Sequence, residues 1–259
     1  MIEDARYSRI DSPFSLAGKR ILITGATSGL GHATAITCAR LGATVVGVGR
    51  DPARLEDTQQ ALARLSDAPH QLIRTDLTEE TEREGLLDAL KDPLDGILHS
   101  AGISRIRPFR MITADHLREL QAINVEAPML LTQGMLRKRL IASGGSVLFM
   151  ASIAAHIGVA GVAAYSGTKA ALIAMMRCLA MEVVKHGIRV NCLAPALVET
   201  PLFEATKNFV GSVDDLRSSY PLGFGQPEDV ANAAVFFLSP ASRWITGTTL
   251  VLDGGLTIS

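Results

Sequence analysis

Residues 20–31 read Arg20-Ile-Leu-Ile-Thr24-Gly25-Ala-Thr27-Ser28-Gly29-Leu30-Gly31, a short apolar run that breaks into glycines. A run of this kind ending in a turn signal fits a buried parallel strand. Glycines allow the sharp turn and let the backbone approach a ligand closely. Helical character follows from residue 29 to 41, so the order strand, turn, helix sets unpaired N–H groups and a positive dipole end at the glycines. That arrangement suits a dinucleotide pyrophosphate, with Gly25, Thr27, Ser28, Gly29, Leu30 and Gly31 as the expected contacts. The competing reading is an ordinary strand–helix connection. Its place directly after the first strand favours the dinucleotide.

Working outward, further strands are expected near 44–48, 70–74, 95–98, 146–150, 188–193 and 249–252. Helices are expected near 52–65, 78–90, 113–140, 164–186 and 227–238, the first of them opened by Asp51 as N-cap and Pro52. This alternation predicts an α/β fold, a doubly wound Rossmann-type parallel sheet of about seven strands with helices on both faces. With no internal linker or repeat, residues 1–259 read as one dinucleotide-binding catalytic domain, with 1–17 as a leader.

The chain is 47% hydrophobic and 20% charged, with a net charge of −1. Near-neutrality argues against a nucleic-acid partner, whose phosphates demand a basic excess. Cys38, Cys178 and Cys192 are far apart and lack metal or redox spacing, which fits a reducing compartment. Residues 1–18 carry early acids and no apolar run, unlike a secretory signal. Residues 147–165 are long enough for a membrane span but hold Ser152, His156 and glycines, so a strand leading into a loop explains them better. A cytoplasmic protein without membrane attachment is expected.

The second strand ends in Gly47-Val48-Gly49-Arg50-Asp51. An NAD site usually places an acid there for the ribose 2′-hydroxyl. Here Gly49 holds that position and Arg50 follows. A guanidinium fits a 2′-phosphate, so NADP(H) is favoured and NAD(H) stays open. The competing reading makes Arg50 a solvated residue before a helix.

Tyr165 and Lys169 stand four apart at the start of a helix and project from one face. A free tyrosine, with a pKa of about 10, exchanges protons poorly at neutral pH. A nearby ammonium and an oxidised nicotinamide would favour the phenolate. Ser152 follows a strand at the carboxyl edge of the sheet, where it could hold a substrate oxygen. Singly, each residue has a structural explanation. Together behind a dinucleotide turn they indicate hydride transfer between a carbonyl and a secondary alcohol, with Tyr165 as acid and base.

From about Ala17 onward the chain resembles the short-chain dehydrogenase/reductase family, in its compact single-domain branch, and 3-oxoacyl carrier-protein reductases within it. The resemblance rests on Thr24-Gly25-x-x-x-Gly29-x-Gly31, on Ser152 and on Tyr165-x-x-x-Lys169. It implies that Asp76 and Leu77 contact adenine, and that Ser100, Ala101 and Gly102 form a cofactor turn. It also implies that Asn124 is a fourth catalytic residue holding a water that links the lysine to solvent. Lys169 would bind the nicotinamide ribose, and Pro195, Val198 and Thr200 would grip the carboxamide. A homotetramer or homodimer built on the long helices and last strand is implied too. Two departures stand out: His99-Ser100 replaces the family's Asn-Asn, and Ala196 replaces its glycine.

No HExxH, close His/Asp cluster, G-x-S-x-G elbow or G-x-x-x-x-G-K-[ST] loop occurs, so no metal, serine hydrolase or NTPase chemistry is expected. His156 could touch substrate or simply pack a loop. Arg137-Lys138-Arg139 reads as a helix-end run, or as a patch for an acidic acyl carrier. The tail 221–230 and 246–255 resembles the carrier-protein reductases but is shared widely in the family. Residues 103–111, 153–162 and 197–225 should set substrate, with about 196–225, including Phe203, Phe209 and Tyr220, as a lid. A 3-oxoacyl thioester or a small hydrophobic ketone is the expected substrate. The alternative function is a catalytically silent dinucleotide sensor or scaffold.

Overall fold

The computed structural model describes residues 12–206 and 213–258. Seven parallel strands, β1 (Arg20–Thr24), β2 (Thr44–Gly49), β3 (Gln71–Arg74), β4 (Leu94–His99), β5 (Ile141–Met150), β6 (Arg189–Pro195) and β7 (Thr249–Leu252), form one sheet in the order β3-β2-β1-β4-β5-β6-β7. The chain reverses its direction across the sheet between β1 and β4, and the carboxyl edge at such a switch point is where these folds open a ligand crevice.

Alternate strand residues feed two cores. Ile21, Ile23, Val45 and Leu98 pack with α1 (Gly29–Arg40), α2 (Pro52–Ala63) and α9 (Pro227–Leu238). Leu22, Val46, Ile97 and Phe149 pack with α3 (Glu80–Ala89), α5 (Ala127–Arg137) and α6 (Ala163–Val183) on the opposite face. Three further helices, α4 (Ala114–Gln121), α7 (Pro201–Thr206) and α8 (Val213–Ser218), lie in the connections at the site end of the chain's middle and the expected lid. Asp51 caps α2 as its sequence suggests, accepting from Ala53 N at 3.0 Å and Arg54 N at 3.2 Å.

Four boundaries depart from the sequence reading. The expected helix 78–90 starts at Glu80, because Asp76 draws Thr78 N (3.0 Å) and Thr78 Oγ1 (2.7 Å) into a turn first. Strand β5 begins at Ile141, ahead of the expected 146, with a register shift against β4 between Leu94 and Gly96. The expected continuous helix 113–140 is split by a π-turn, Ala122–Glu126, and ends at Arg137, before Arg139 turns left-handed at φ 55°. Pro128 explains the split, since it has no N–H to offer the Asn124 carbonyl four residues earlier. The end of the expected leader is part of the body: Leu16 is fully buried, its N–H bonds Leu41 O at 3.0 Å, and Pro13 O accepts from Ala241 N at 2.9 Å.

Candidate active site

The glycine turn is tight enough to require glycine. A Cβ on Gly31 would lie 2.3 Å from the Gly25 carbonyl oxygen, and one on Gly25 would lie 2.9 Å from Ala101 N. Ser28 precedes α1 in an extended conformation and makes no side-chain cap, and no acid lies in the helix's first turn. The leading N–H groups are therefore left to an anionic ligand, as a pyrophosphate site needs. Thr24 Oγ1 accepts from Ser100 N and Ala101 N, both at 3.1 Å, so the ends of β1 and β4 are held together beneath this turn. Main-chain groups thus carry the turn in which the family's asparagine is replaced by Ser100.

At the adenosine end, Arg50 Nη1 stands 3.6 Å from Asp76 Oδ2, and the arginine side chain is 62% exposed. Thr78 and Arg50 hold the Asp76 carboxyl below the usual carboxylate range, against the opposing effect of its partial burial. A Cβ on Gly49 would lie 2.7 Å from Thr27 Cγ2 and 3.3 Å from Leu55 Cδ2, so an acid cannot stand there without displacing them. Leu77 turns its side chain into the core, and its carbonyl accepts from Arg83 at 2.8 Å. Asp76 and the main chain are the groups left there to meet an adenine.

Across the crevice, Val198 pairs with Gly225, and Thr200 opens α7 by accepting from Phe203 N at 3.3 Å. The Thr200 methyl lies 3.7 Å from the position of a Cβ on Gly29, which brings the 195–200 segment over the glycine turn. Ala196 lies outside the left-handed region, and its N–H bonds Leu252 O at 2.8 Å, so its Cβ costs the backbone nothing.

The catalytic-type residues converge at the same edge. Ser152 follows β5 and accepts from Ala154 N at 3.2 Å. It therefore caps the turn that follows β5. Burial raises the Tyr165 pKa above that of an ordinary phenol, and the nearby Ser152 hydroxyl opposes the rise. Lys169 Nζ lies 5.6 Å from the centre of the Tyr165 ring and donates to Met150 O at 2.8 Å. The lysine is 5% exposed, and burial brings its pKa down to about 8, with nearby Cys192 opposing the shift. The protein's own groups therefore do not lower the phenol; that part of the sequence expectation is left to the nicotinamide.

Asn124 lies in the π-turn and is 1% exposed. Its Oδ1 accepts from Ile103 N at 2.9 Å, and its Nδ2 donates to Ile103 O at 2.9 Å and Thr168 Oγ1 at 3.1 Å. Both amide hydrogens are occupied, so the side-chain amide has none left to offer a water. A Cβ on Gly102 would lie 3.1 Å from Asn124 Oδ1 and 3.4 Å from Lys169 Nζ, so this glycine lets the two approach. Thr168 was not singled out by sequence; its signal is a hydroxyl three residues after Tyr165.

His99, also unremarked beyond its departure from asparagine, is 3% exposed and stacks on Phe149 at 4.9 Å. Thr132 Oγ1 donates to Pro128 O at 2.7 Å, so the 2.8 Å contact assigns the donating hydrogen to His99 Nε2 and leaves Nδ1 a buried acceptor without a partner among the described residues. Burial drives its pKa down to about 3. His156 is exposed. The basic run is taken up by α3: Arg137 pairs with Glu84 at 2.8 Å, and Lys138 pairs with Glu84 and Asp88. In the expected lid, Phe203, Tyr220 and Phe224 cluster together, while Phe209 lies outside the described residues. Among the described residues, no helix is long and apolar enough to cross a membrane.

The family model described as enoyl-(acyl carrier protein) reductase matches residues 25–257. A tropinone reductase homologue of Arabidopsis thaliana is 34% identical, covering 95% of this chain and 94% of its own. An NAD-dependent glycerol dehydrogenase of Listeria innocua is 30% identical, covering 97% and 99%. The crystal structure of a gluconate 5-dehydrogenase from Burkholderia cenocepacia in complex with NADP and tartrate superposes with a TM-score of 0.86 at 28% identity, covering 95% and 98%. The glycine turn, the switch-point crevice and these matches together place the chain in the short-chain dehydrogenase/reductase family, as an NAD(P)-dependent oxidoreductase acting on alcohol and carbonyl groups.

Proposed function

We propose that the chain, acting as one catalytic unit with 196–225 as its lid, interconverts a carbonyl and a secondary alcohol with Tyr165 as general acid and base. The observation that carries this is the gathering of Ser152, Tyr165 and Lys169 at the switch-point edge, with Lys169 Nζ 5.6 Å from the centre of the Tyr165 ring. When bound, the dinucleotide supplies hydride in reduction and takes it in oxidation. Ser152 donates to the substrate oxygen and fixes it beside the phenol. Tyr165 then gives that oxygen its proton, or removes one in the reverse direction. Lys169, with its pKa brought down to about 8, exchanges protons readily near neutrality and recharges the tyrosine. Asn124 holds the water that joins Lys169 to solvent.

NADP(H) is the preferred cofactor, supported by the absence of an acid at Gly49, where any side chain would crowd Thr27 and Leu55, and by the exposed guanidinium of Arg50. A small hydrophobic ketone suits the apolar lid cluster better than a carrier-bound 3-oxoacyl thioester, because Arg137 and Lys138 are already paired with α3. The protein works in the cytoplasm as a homotetramer or homodimer. Exposed Leu117 on α4, Leu130 on α5, Met181 on α6 and Val184 just beyond it, with Trp244 ahead of β7, support such assembly.

The test is absorbance at the reduced-nicotinamide band with NADPH and NADH, against ketones, aldehydes, 3-oxoacyl thioesters and, given the relatives' names, polyols. Turnover that collapses in Tyr165→Phe is expected. Cofactor binding without turnover on any member would establish the silent sensor instead.

A further inference from the structure

We propose that Thr168 is a positioning residue for Asn124, the strut that fixes the π-turn against the helix bearing Tyr165 and Lys169. The inference rests on the catalytic reading of those residues. Thr168 is 4% exposed, so its hydroxyl must find partners inside the protein. It donates to Tyr165 O at 2.7 Å and accepts from Asn124 Nδ2 at 3.1 Å. The second Nδ2 hydrogen and Oδ1 clamp the Ile103 main chain from both sides, each at 2.9 Å. One carboxamide thus ties together the segment after β4, the π-turn and α6, and Thr168 is its contact on α6.

A regular helix would need no such strut. Here Pro128 withholds the N–H that the Asn124 carbonyl would receive in an α-helix, and a π-turn has to be held by other contacts. Asn124 Oδ1 and Lys169 Nζ both crowd the open side of Gly102, at 3.1 Å and 3.4 Å from where a Cβ would stand. Little slack separates the turn from the lysine. Without the Thr168 hydroxyl, one buried Nδ2 hydrogen loses its acceptor, and the carboxamide can rotate to seek another. Thr168 touches neither substrate nor cofactor in this scheme and acts only through Asn124. Valine matches threonine closely in size and shape, so Thr168→Val removes the hydroxyl with little change in packed volume.

The experiment compares Thr168→Val and Thr168→Ser, each alone and with Asn124→Ala, in steady-state kinetics on the best substrate of the panel. Thr168→Val should lower kcat roughly tenfold, the expected effect of one unmade buried hydrogen bond, and leave both KM values within about twofold. Thr168→Ser keeps the hydroxyl and should stay within about twofold of the parent. On the Asn124→Ala background, Thr168→Val should add no loss, because the residue it acts through is gone. Unchanged kcat in Thr168→Val, equal losses in the serine and valine variants, or losses that multiply in the double variant would each overturn the proposal. If Thr168→Val does not fold, Thr168→Ala replaces it under the same criteria. Tyr165→Phe separates the two levels: turnover retained there overturns the catalytic reading, whereas turnover lost there with Thr168→Val unaffected overturns only the strut.

Discussion

The two ends of the crevice are built on opposite principles. At the end proposed for the nicotinamide, Asn124, Thr168 and Lys169 are at most 5% exposed; Asn124 donates to Thr168 at 3.1 Å and Lys169 to Met150 O at 2.8 Å. At the adenosine end, Arg50 and Asp76 form a 3.6 Å pair whose side chains are 62% and 29% exposed. Buried polar groups are costly to leave unpaired, so the first end tolerates little change. Exposed ion pairs contribute little and are screened by salt, so the second can exchange one partner for another. On the proposed reading, proton chemistry is locked in the body of the protein, while cofactor choice would rest on charges that a ligand can recruit.

The largest effect should come from the locked end. Tyr165→Phe removes the proton donor and keeps the ring in place. Turnover should fall by roughly 10³-fold, within the range for losing a general acid–base, with cofactor affinity nearly unchanged. Stopped-flow turnover with a fluorescence titration of NADPH reads both quantities. Near-native turnover would remove the distinction between the two ends.

His99 tests whether the locked end also carries a stability cost. Its pKa falls from 6.5 to about 3 in the folded protein. Between those values the unfolded chain binds a proton that the folded one refuses, so the contribution of neutral His99 is complete above pH 6.5 and is lost as pH falls through about 3. From pH 6.5 to 4 the parent should lose about 3 kcal/mol that His99→Asn keeps. Denaturant melts of both proteins at the two pH values check this, and parallel pH dependence would refute it.

Legibility divides along the same line. The glycine turn, the seven strands and the spacing of Tyr165 and Lys169 are local patterns, set by residues close in sequence, and each was readable. Neither the π-turn nor the Thr168 strut was. Both arise where Pro128, Asn124, Ile103 and Thr168 meet across three segments, and periodicity carries no record of such a meeting. Pro128, in the middle of the expected helix 113–140, is the one visible sign of a break. The pairing of Arg137 and Lys138 with Glu84 and Asp88 was hidden for a similar reason, since α3 and α5 are neighbours only in the fold.

The open end should respond by substitution of charge alone. Arg50→Ala removes a cation with no buried role, so stability should hardly change. NADPH affinity should fall roughly ten- to a hundredfold, from the loss of charge-assisted bonds to a 2′-phosphate, while NADH stays within about twofold. The NADPH effect should shrink in high salt. Equal losses for both cofactors would take Arg50 out of the phosphate site.

Ala196 gives the smallest and sharpest test, because it is a family departure at the locked end. If alanine strained the carboxamide segment, restoring glycine would relieve it and raise turnover. The backbone there is outside the left-handed region and its N–H is bonded to Leu252 O at 2.8 Å, so glycine has nothing to relieve. It would only enlarge the freedom of the unfolded chain. Ala196→Gly should therefore lose about 0.5–1 kcal/mol in denaturant melts, with kcat and both KM values unchanged. A gain in kcat would mean that rigidity at this end exceeds what catalysis needs, and the contrast with the Arg50 side would be one of strain as well as burial.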